Sequence, residues 1–261
     1  MSSPARCALL GLGEAGRAFA TDLVAAGCEV RASDPLVERA PDGVVLVDGA
    51  AAAVERADLV LSLNASSAAL AVAAAAAPAL AAGTIYADLN SGSPGLKIAV
   101  AEVVEARGAR FADVALMAPV PGNGVRTPSL VSGSGAAGYA RSLGALGAPV
   151  EALGDQPGEA ATRKLLRSVF MKGLAAISFE ALAAAERAGL GEWMRGELAA
   201  AYEGADSALL ARLLEGTPLH AVRRIDEMNA AREMLEELGS PARMTDGTIG
   251  WLEQLAATRV R

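Results

Sequence analysis

Residues 6–16 read Arg6-Cys-Ala-Leu-Leu-Gly11-Leu-Gly13-Glu-Ala-Gly16. A compact apolar run, 6–10, is followed at once by glycines spaced G-x-G-x-x-G. A stretch of helical pattern then runs over 14–26 and meets a stop signal at Gly27. The glycines permit a tight turn, close approach of an anion to the backbone, and close packing of helix on strand. The unpaired N–H groups at the helix start favour a phosphate. The next apolar run closes on an acid, Asp34, 18 residues after Gly16 (34 − 16). A carboxylate there suits ribose hydroxyls and repels a 2′-phosphate. Gly11, Leu12, Gly13, Glu14, Ala15, Gly16 and Asp34 thus predict a dinucleotide site with NAD favoured; Arg31 and Arg39 stand close enough to keep NADP open. A glycine turn beside an unrelated surface acid is the bland alternative.

Outward from this run, short apolar segments at 28–33, 44–47, 59–63, 84–87, 110–117, 129–132 and 149–153 alternate with helical stretches at 50–56, 66–82, 94–107 and 136–146. Such alternation predicts an α/β fold, a Rossmann-type doubly wound parallel sheet with helices on both faces. At Gly154-Asp-Gln-Pro-Gly158 the pattern changes. Residues 159–188 hold no proline and one glycine, Gly173, enough for a helix about 45 Å long. Helical segments alone follow, at 192–202, 206–214, 218–238 and 241–258. The expected organisation is a dinucleotide-binding domain over 1–156 and an all-helical substrate and dimerisation domain over 157–261.

Composition narrows the function. The 261 residues are 52% hydrophobic and carry a formal net charge of −7, a poor match for phosphate backbones, so nucleic acid is not an expected partner. Cys7 and Cys28 are too few for a disulfide framework, and the single histidine, His220, excludes a multi-histidine metal site. A reducing, cytoplasmic setting is expected. The uncharged stretch between Asp58 and Asp88 is long enough to span a bilayer. It is interrupted by Asn64, Ser66, Ser67, Pro78 and Gly83, however, and reads as strand, helix and strand. No membrane span and no signal peptide are expected.

Three residues among the cations are lysines: Lys97, Lys164 and Lys172. In a chain that writes its surface charge in arginine, a retained lysine points to amine chemistry that a permanently protonated guanidinium cannot perform. Lys164 falls near the start of the long helix, at the expected domain junction. Ser168 lies one turn on, and Lys172 about 80° round. A partly desolvated amine there would act as acid and base; a lysine snorkelling over Leu165 is the alternative. Lys97, on an ordinary helix after Pro94, looks incidental. Leu63-Asn64-Ala65-Ser66 and Asp88-Leu-Asn90-Ser91-Gly-Ser93 place small polar residues at strand ends. There Leu63, Asn64 and Asn90 would touch cofactor and Ser91 substrate, or the polar groups would simply cap helices. His220, Arg223, Arg224 and Glu227 recur at helical spacing, with an Arg223–Glu227 pair and a capping His220 favoured over an anion site.

Three of these segments together resemble the β-hydroxyacid dehydrogenases, which include 3-hydroxyisobutyrate and 6-phosphogluconate dehydrogenases and have the imine reductases as relatives. Gly11–Gly16 is similar to the family's cofactor loop. Phe111-Ala-Asp113-Val-Ala-Leu-Met117 resembles its substrate segment, and Gly158-Glu-Ala-Ala-Thr-Arg-Lys164 resembles the run into its catalytic lysine. Residues 220–228 resemble a helical domain found on 6-phosphogluconate-dehydrogenase-like proteins. The resemblance implies Lys164 as the acid/base, with Ser91, Met117, Pro119, Asn123, Ser168 and Lys172 on the substrate side. Met117 replaces the family's serine, Ser168 a frequent asparagine, and Ala160 a glycine. The implied activity is NAD(P)-dependent hydride transfer with a small, anionic β-hydroxy acid or related carbonyl, in a homodimer. C=N reduction and a non-catalytic dinucleotide sensor are the other readings; the retained lysine counts against the former.

Overall fold

A computed structural model describes residues 5–258. Eight strands form one sheet: β1 (Arg6–Leu10), β2 (Glu29–Ser33), β3 (Val44–Leu46), β4 (Leu59–Ser62), β5 (Ile85–Asp88), β6 (Arg110–Leu116), β7 (Ser129–Ser132) and β8 (Val150–Gly154). Their order is β3-β2-β1-β4-β5-β6-β7-β8, and β1 to β6 run parallel. The sheet is the Rossmann-type doubly wound arrangement that the alternation predicts. It is not parallel throughout. β7 runs antiparallel to β6, and β8 follows the direction of β7. The reason lies in the β6–β7 connection, residues 117–128. It holds only a 3-10 turn, Gly124–Arg126, and not the helix through which a parallel return usually crosses over.

β1 shows how the sheet is buried on both sides. Cys7 and Leu9 point to one face, which Phe19 and Leu23 of α1 (Glu14–Ala25) and, over β5 to β8, Tyr139 and Leu143 of α5 (Ala136–Gly144) cover. Ala8 and Leu10 point to the other face, against α2 (Ala50–Val54), α3 (Ala69–Ala76) and α4 (Pro94–Glu105). Helices on both faces explain why the strands read as unbroken apolar runs. Each fully buried Leu or Phe contributes about 1.5–3 kcal/mol. The helix expected over 66–82 is broken by 3-10 turns at Ser66–Ala68 and Ala77–Ala79, the second of them around Pro78, which lacks the N–H a continuing helix needs.

α6 (Glu159–Arg187) is the long helix. By length and composition it could cross a bilayer, a test that mostly buried core helices also pass; its first turn is hydrogen-bonded into the sheet. The chain divides into two compact units, 1–167 and 168–261. The second contains the rest of α6 with α7 (Gly191–Glu203), α8 (Ser207–Leu219), α9 (Ala221–Glu237) and α10 (Arg243–Thr258). α9 and α10 pack along one another, burying Leu235, Ile249 and Leu252. Pro218 does not open a helix, as the sequence suggests; it sits in the last turn of α8, where its missing N–H ends the helix one residue later. His220 then separates α8 from α9 without a side-chain cap. Among the described residues no ion pair joins Arg223 to Glu227, and Arg224 Nη1 instead donates to Thr217 Oγ1 at 2.6 Å.

Glu180 closes the second unit. Its carboxylate accepts from Met244 N, Thr245 N and Thr245 Oγ1, each at 2.8 Å, and so caps the start of α10. Burial pushes this carboxyl up, but the bonds from the 243–245 backbone and Thr245 outweigh it and hold the group below its usual 4.5. Stability from a depressed acid is full above its unfolded value and is lost as pH falls through the folded one. Glu180→Gln should therefore cost about 1–2 kcal/mol at pH 7, and the gap to wild type should narrow below pH 4.5, as urea titrations across that range will show.

Candidate cofactor and catalytic site

The strand order reverses between β1 and β4, the place where an open α/β sheet leaves a crevice at its carboxyl edge. Gly11 lies there with φ +115°, and a Cβ on it would stand 2.2 Å from the Leu63 carbonyl oxygen. A Cβ on Gly16 would lie 2.1 Å from the Gly11 oxygen. These two glycines bring β1, the β4 loop and α1 closer than any side chain allows. Gly13 differs: its Cβ would meet nothing within 4 Å, and it precedes α1 without a side-chain cap. The first-turn N–H groups of α1 thus face open space, as a pyrophosphate requires. Asp34 follows β2, its Oδ2 accepting from Leu12 N at 2.7 Å and its Oδ1 from Leu36 N at 2.9 Å. Glycine turn, uncapped helix start and fixed acid together fit a nicotinamide dinucleotide.

The next loops are tied to this one. Asn64 Nδ2 donates to the Leu10 carbonyl at 3.3 Å and to Ser62 Oγ at 2.9 Å. Asn64 N donates to Asn90 Oδ1 at 2.7 Å, and Asn90 Nδ2 returns a bond to Asn64 Oδ1 at 3.2 Å. The two asparagines therefore brace the ends of β4 and β5 against each other, a larger role than helix capping. One residue on, Ser91 Oγ accepts from Lys164 Nζ at 2.8 Å. Lys164 is partly buried in the second turn of α6, whose start is pinned by Asp113. Asp113 Oδ2 accepts from Gly158 N at 3.1 Å and Ala161 N at 3.0 Å.

Lys97 is not incidental. Its side chain is 1% exposed, with Nζ 3.1 Å from Asp88 Oδ2 and 3.3 Å from Asp113 Oδ1. It also donates to the Asp88 carbonyl at 2.8 Å. A signal was available in the sequence: Lys97 shares the buried face of α4 with Val100, Ala101 and Val104, at the i+3, i+4 and i+7 spacing of an inward stripe.

The other expected substrate residues are spread out. Met117 lines a groove with Pro128, Leu130 and Val150. Asn123 lines another with Arg17, Thr21 and Asp22 of α1, and its Nδ2 donates to the Pro119 carbonyl; Pro119 itself is exposed. Among the described residues, no hydrogen bond joins Met117, Pro119 or Asn123 to Ser91. Ser168 and Lys172 fall in the second unit.

Sheet and glycine crevice define a dinucleotide-binding protein of the dehydrogenase and reductase class. Comparison with known proteins agrees: residues 6–138 match the NAD binding domain of 6-phosphogluconate dehydrogenase, and residues 185–255 match a domain of unknown function, DUF1932. The chain belongs to this 6-phosphogluconate-dehydrogenase-type family. A 28.5 kDa protein of Methanothermus fervidus is 29% identical over 176 residues, 67% of this chain but only 66% of its own length. Among solved structures, a conserved hypothetical protein of Sinorhizobium meliloti is 34% identical over 95% of this chain and 87% of its own, with TM-score 0.63. A conserved protein described as similar to 3-hydroxyacid dehydrogenases is 28% identical over 98% of both chains, TM-score 0.62. A reductive aminase of Aspergillus terreus solved with NADPH4, cyclohexanone and allyl amine shares the fold at TM-score 0.80, with 23% identity over 98% and 95% of the two chains.

The glycines separate folding from binding. Gly16→Ala should destabilise the protein by about 2 kcal/mol or more, because backbone must move. Gly13→Ala should melt within about 1 kcal/mol of wild type while binding NADH at least tenfold more weakly, as thermal melts and fluorescence titration will show.

Proposed function

We propose that the protein is an NAD(P)-dependent oxidoreductase that interconverts a small β-hydroxy acid and its carbonyl form, with Lys164 as the acid/base. The observation that carries this reading is the Lys164 Nζ–Ser91 Oγ bond of 2.8 Å beside the dinucleotide crevice. When bound, the nicotinamide supplies the two-electron hydride acceptor or donor. Gly11, Leu12, Gly13, Glu14, Ala15 and Gly16 would hold the pyrophosphate end, Asp34 the adenosine ribose, and Leu63, Asn64 and Asn90 the segment toward the ring. Lys164, as the free amine, takes the hydroxyl proton at Nζ during oxidation; as the ammonium it returns that proton to the carbonyl oxygen during reduction. Ser91 holds the amine in place. The carboxylate of Asp34 supports a preference for NAD over NADP. Free, buried Cys7 and Cys28, whose thiols burial pushes up and so keeps protonated, fit a reducing, cytoplasmic setting.

Lys164→Ala should lower kcat at least 100-fold while NADH affinity stays within about threefold. The assay is a turnover screen over 3-hydroxy acids, the corresponding oxo acids and cyclic imines. Near-full turnover in the variant removes the lysine role, and turnover of imines alone replaces C–O with C–N chemistry.

A homodimer is part of the same proposal, formed through the helical second unit. That unit buries few large apolar side chains of its own while Val169, Phe170, Phe179, Trp193 and Trp251 are exposed, Phe179 at 74%. Covering such a surface with a second copy is the symmetric solution. Light scattering should give twice the 26.3 kDa chain mass, and Phe179→Glu should shift the mass toward one chain.

A further inference from the structure

The buried Lys97 site is larger than a pair. Its ammonium donates to the Asp88 carbonyl and faces Asp88 Oδ2 and Asp113 Oδ1 at ion-pair distance. The remaining carboxylate oxygens point onward in two directions. Asp88 Oδ1 accepts from Asn90 N at 3.0 Å and Asn90 Nδ2 at 2.6 Å, which fixes the backbone immediately before Ser91. Asp113 Oδ2 accepts from Gly158 N and Ala161 N, which fixes the start of α6, and Lys164 stands one turn beyond Ala161. Ser132 completes this side by accepting from Ala160 N at 3.1 Å and donating to Asp113 Oδ2 at 3.4 Å.

Both members of the Ser91–Lys164 pair are therefore placed by one cation. We propose that Lys97 is a positioning residue that sets this pair through Asp88–Asn90 on the serine side and Asp113 on the lysine side. The functional meaning of the proposal rests on the reading of Lys164 as the acid/base; its test does not. An ammonium that only filled the core would need no such connections, and a neutral side chain of its size would serve as well.

The chain's three lysines make the test direct. Acetylation of the native protein by acetic anhydride, quantified by peptide mass, yields the rate at Lys164 relative to Lys172 as an internal control. Ser91→Ala removes the serine's bond to the amine and should raise that ratio about threefold or more, K97M should raise it similarly, and S91A/K97M should not exceed the larger single effect by more than about 1.5-fold. That non-additivity is the signature of Lys97 acting through Ser91; general loosening would move Lys172 too and would multiply. If K97M alone does not fold, D88N/K97M, which removes one charge of each sign, replaces it in the cycle. A folded variant whose ratio stays within about 1.5-fold of wild type, or effects that multiply, overturns the proposal. Full turnover in Lys164→Ala would remove the acid/base role and leave the outcome of this cycle standing.

Discussion

Two carboxylates side by side in a buried parallel sheet set the main constraint on this fold. Asp88 and Asp113 are register partners on β5 and β6, and both are completely buried. Left alone, such a pair would carry a large desolvation cost together with mutual repulsion. Lys97 resolves the conflict from α4, one layer above, and ties the helix to both strands. Removing one partner of a buried ionic set typically costs about 3–5 kcal/mol, whereas replacing the whole set by apolar groups is often neutral. Stability alone therefore gives little reason for the arrangement. What it supplies is directional: two carboxylates whose outer oxygens end on the Ser91 loop and on the first turn of α6.

A second constraint acts at the other end of the same edge. The approach of Gly11 to the Leu63 carbonyl and of Gly16 to Gly11 leaves no room for a side chain. The β4 loop is thereby held against the glycine turn, and Asn64 and Asn90 carry that placement across to the β5 loop. Cofactor loop, asparagine bridge, buried ion set and α6 form a continuous series of short contacts within the first unit. Small polar residues recur after successive strands because each must satisfy a neighbouring loop's backbone as well as any ligand.

The sequence made much of this legible where local chemistry governs. The strands 6–10 and 129–132 coincide with β1 and β7, because apolar runs bounded by turn residues are local signals. The glycine turn and Asp34 likewise announce themselves by spacing. What stayed hidden depends on distant partners. The reversal at β7 goes with a β6–β7 connection that carries a 3-10 turn and no crossover helix. The place of Pro218 is decided by whether a helix ends or begins there, and a proline tolerates either. Lys97 was visible as one of three lysines and on an apolar helical stripe, but its meaning required Asp88 and Asp113, and only the strand register brings those two together. Asp113 stood out through family resemblance, with no sequence-local hint that it caps α6.

The acid at the end of β2 shows how such anchoring bears on cofactor choice. Asp34 does not owe its position to a ligand: Leu12 N and Leu36 N each hold one of its oxygens. Leu12 belongs to the glycine turn itself, so the carboxylate is locked to the same loop that would hold the pyrophosphate. A 2′-phosphate would need this group to swing away, which would break a 2.7 Å bond inside the phosphate-binding turn. The arginines of this region have other partners: Arg17 Nη2 donates to the Arg39 carbonyl at 3.2 Å, and Arg31 faces Glu55 at 3.6 Å. Ribose hydroxyls, by contrast, can donate to the lone pairs that the two N–H groups leave open. The preference for NAD that we propose thus rests less on the presence of an acid than on its being held by Leu12 N and Leu36 N.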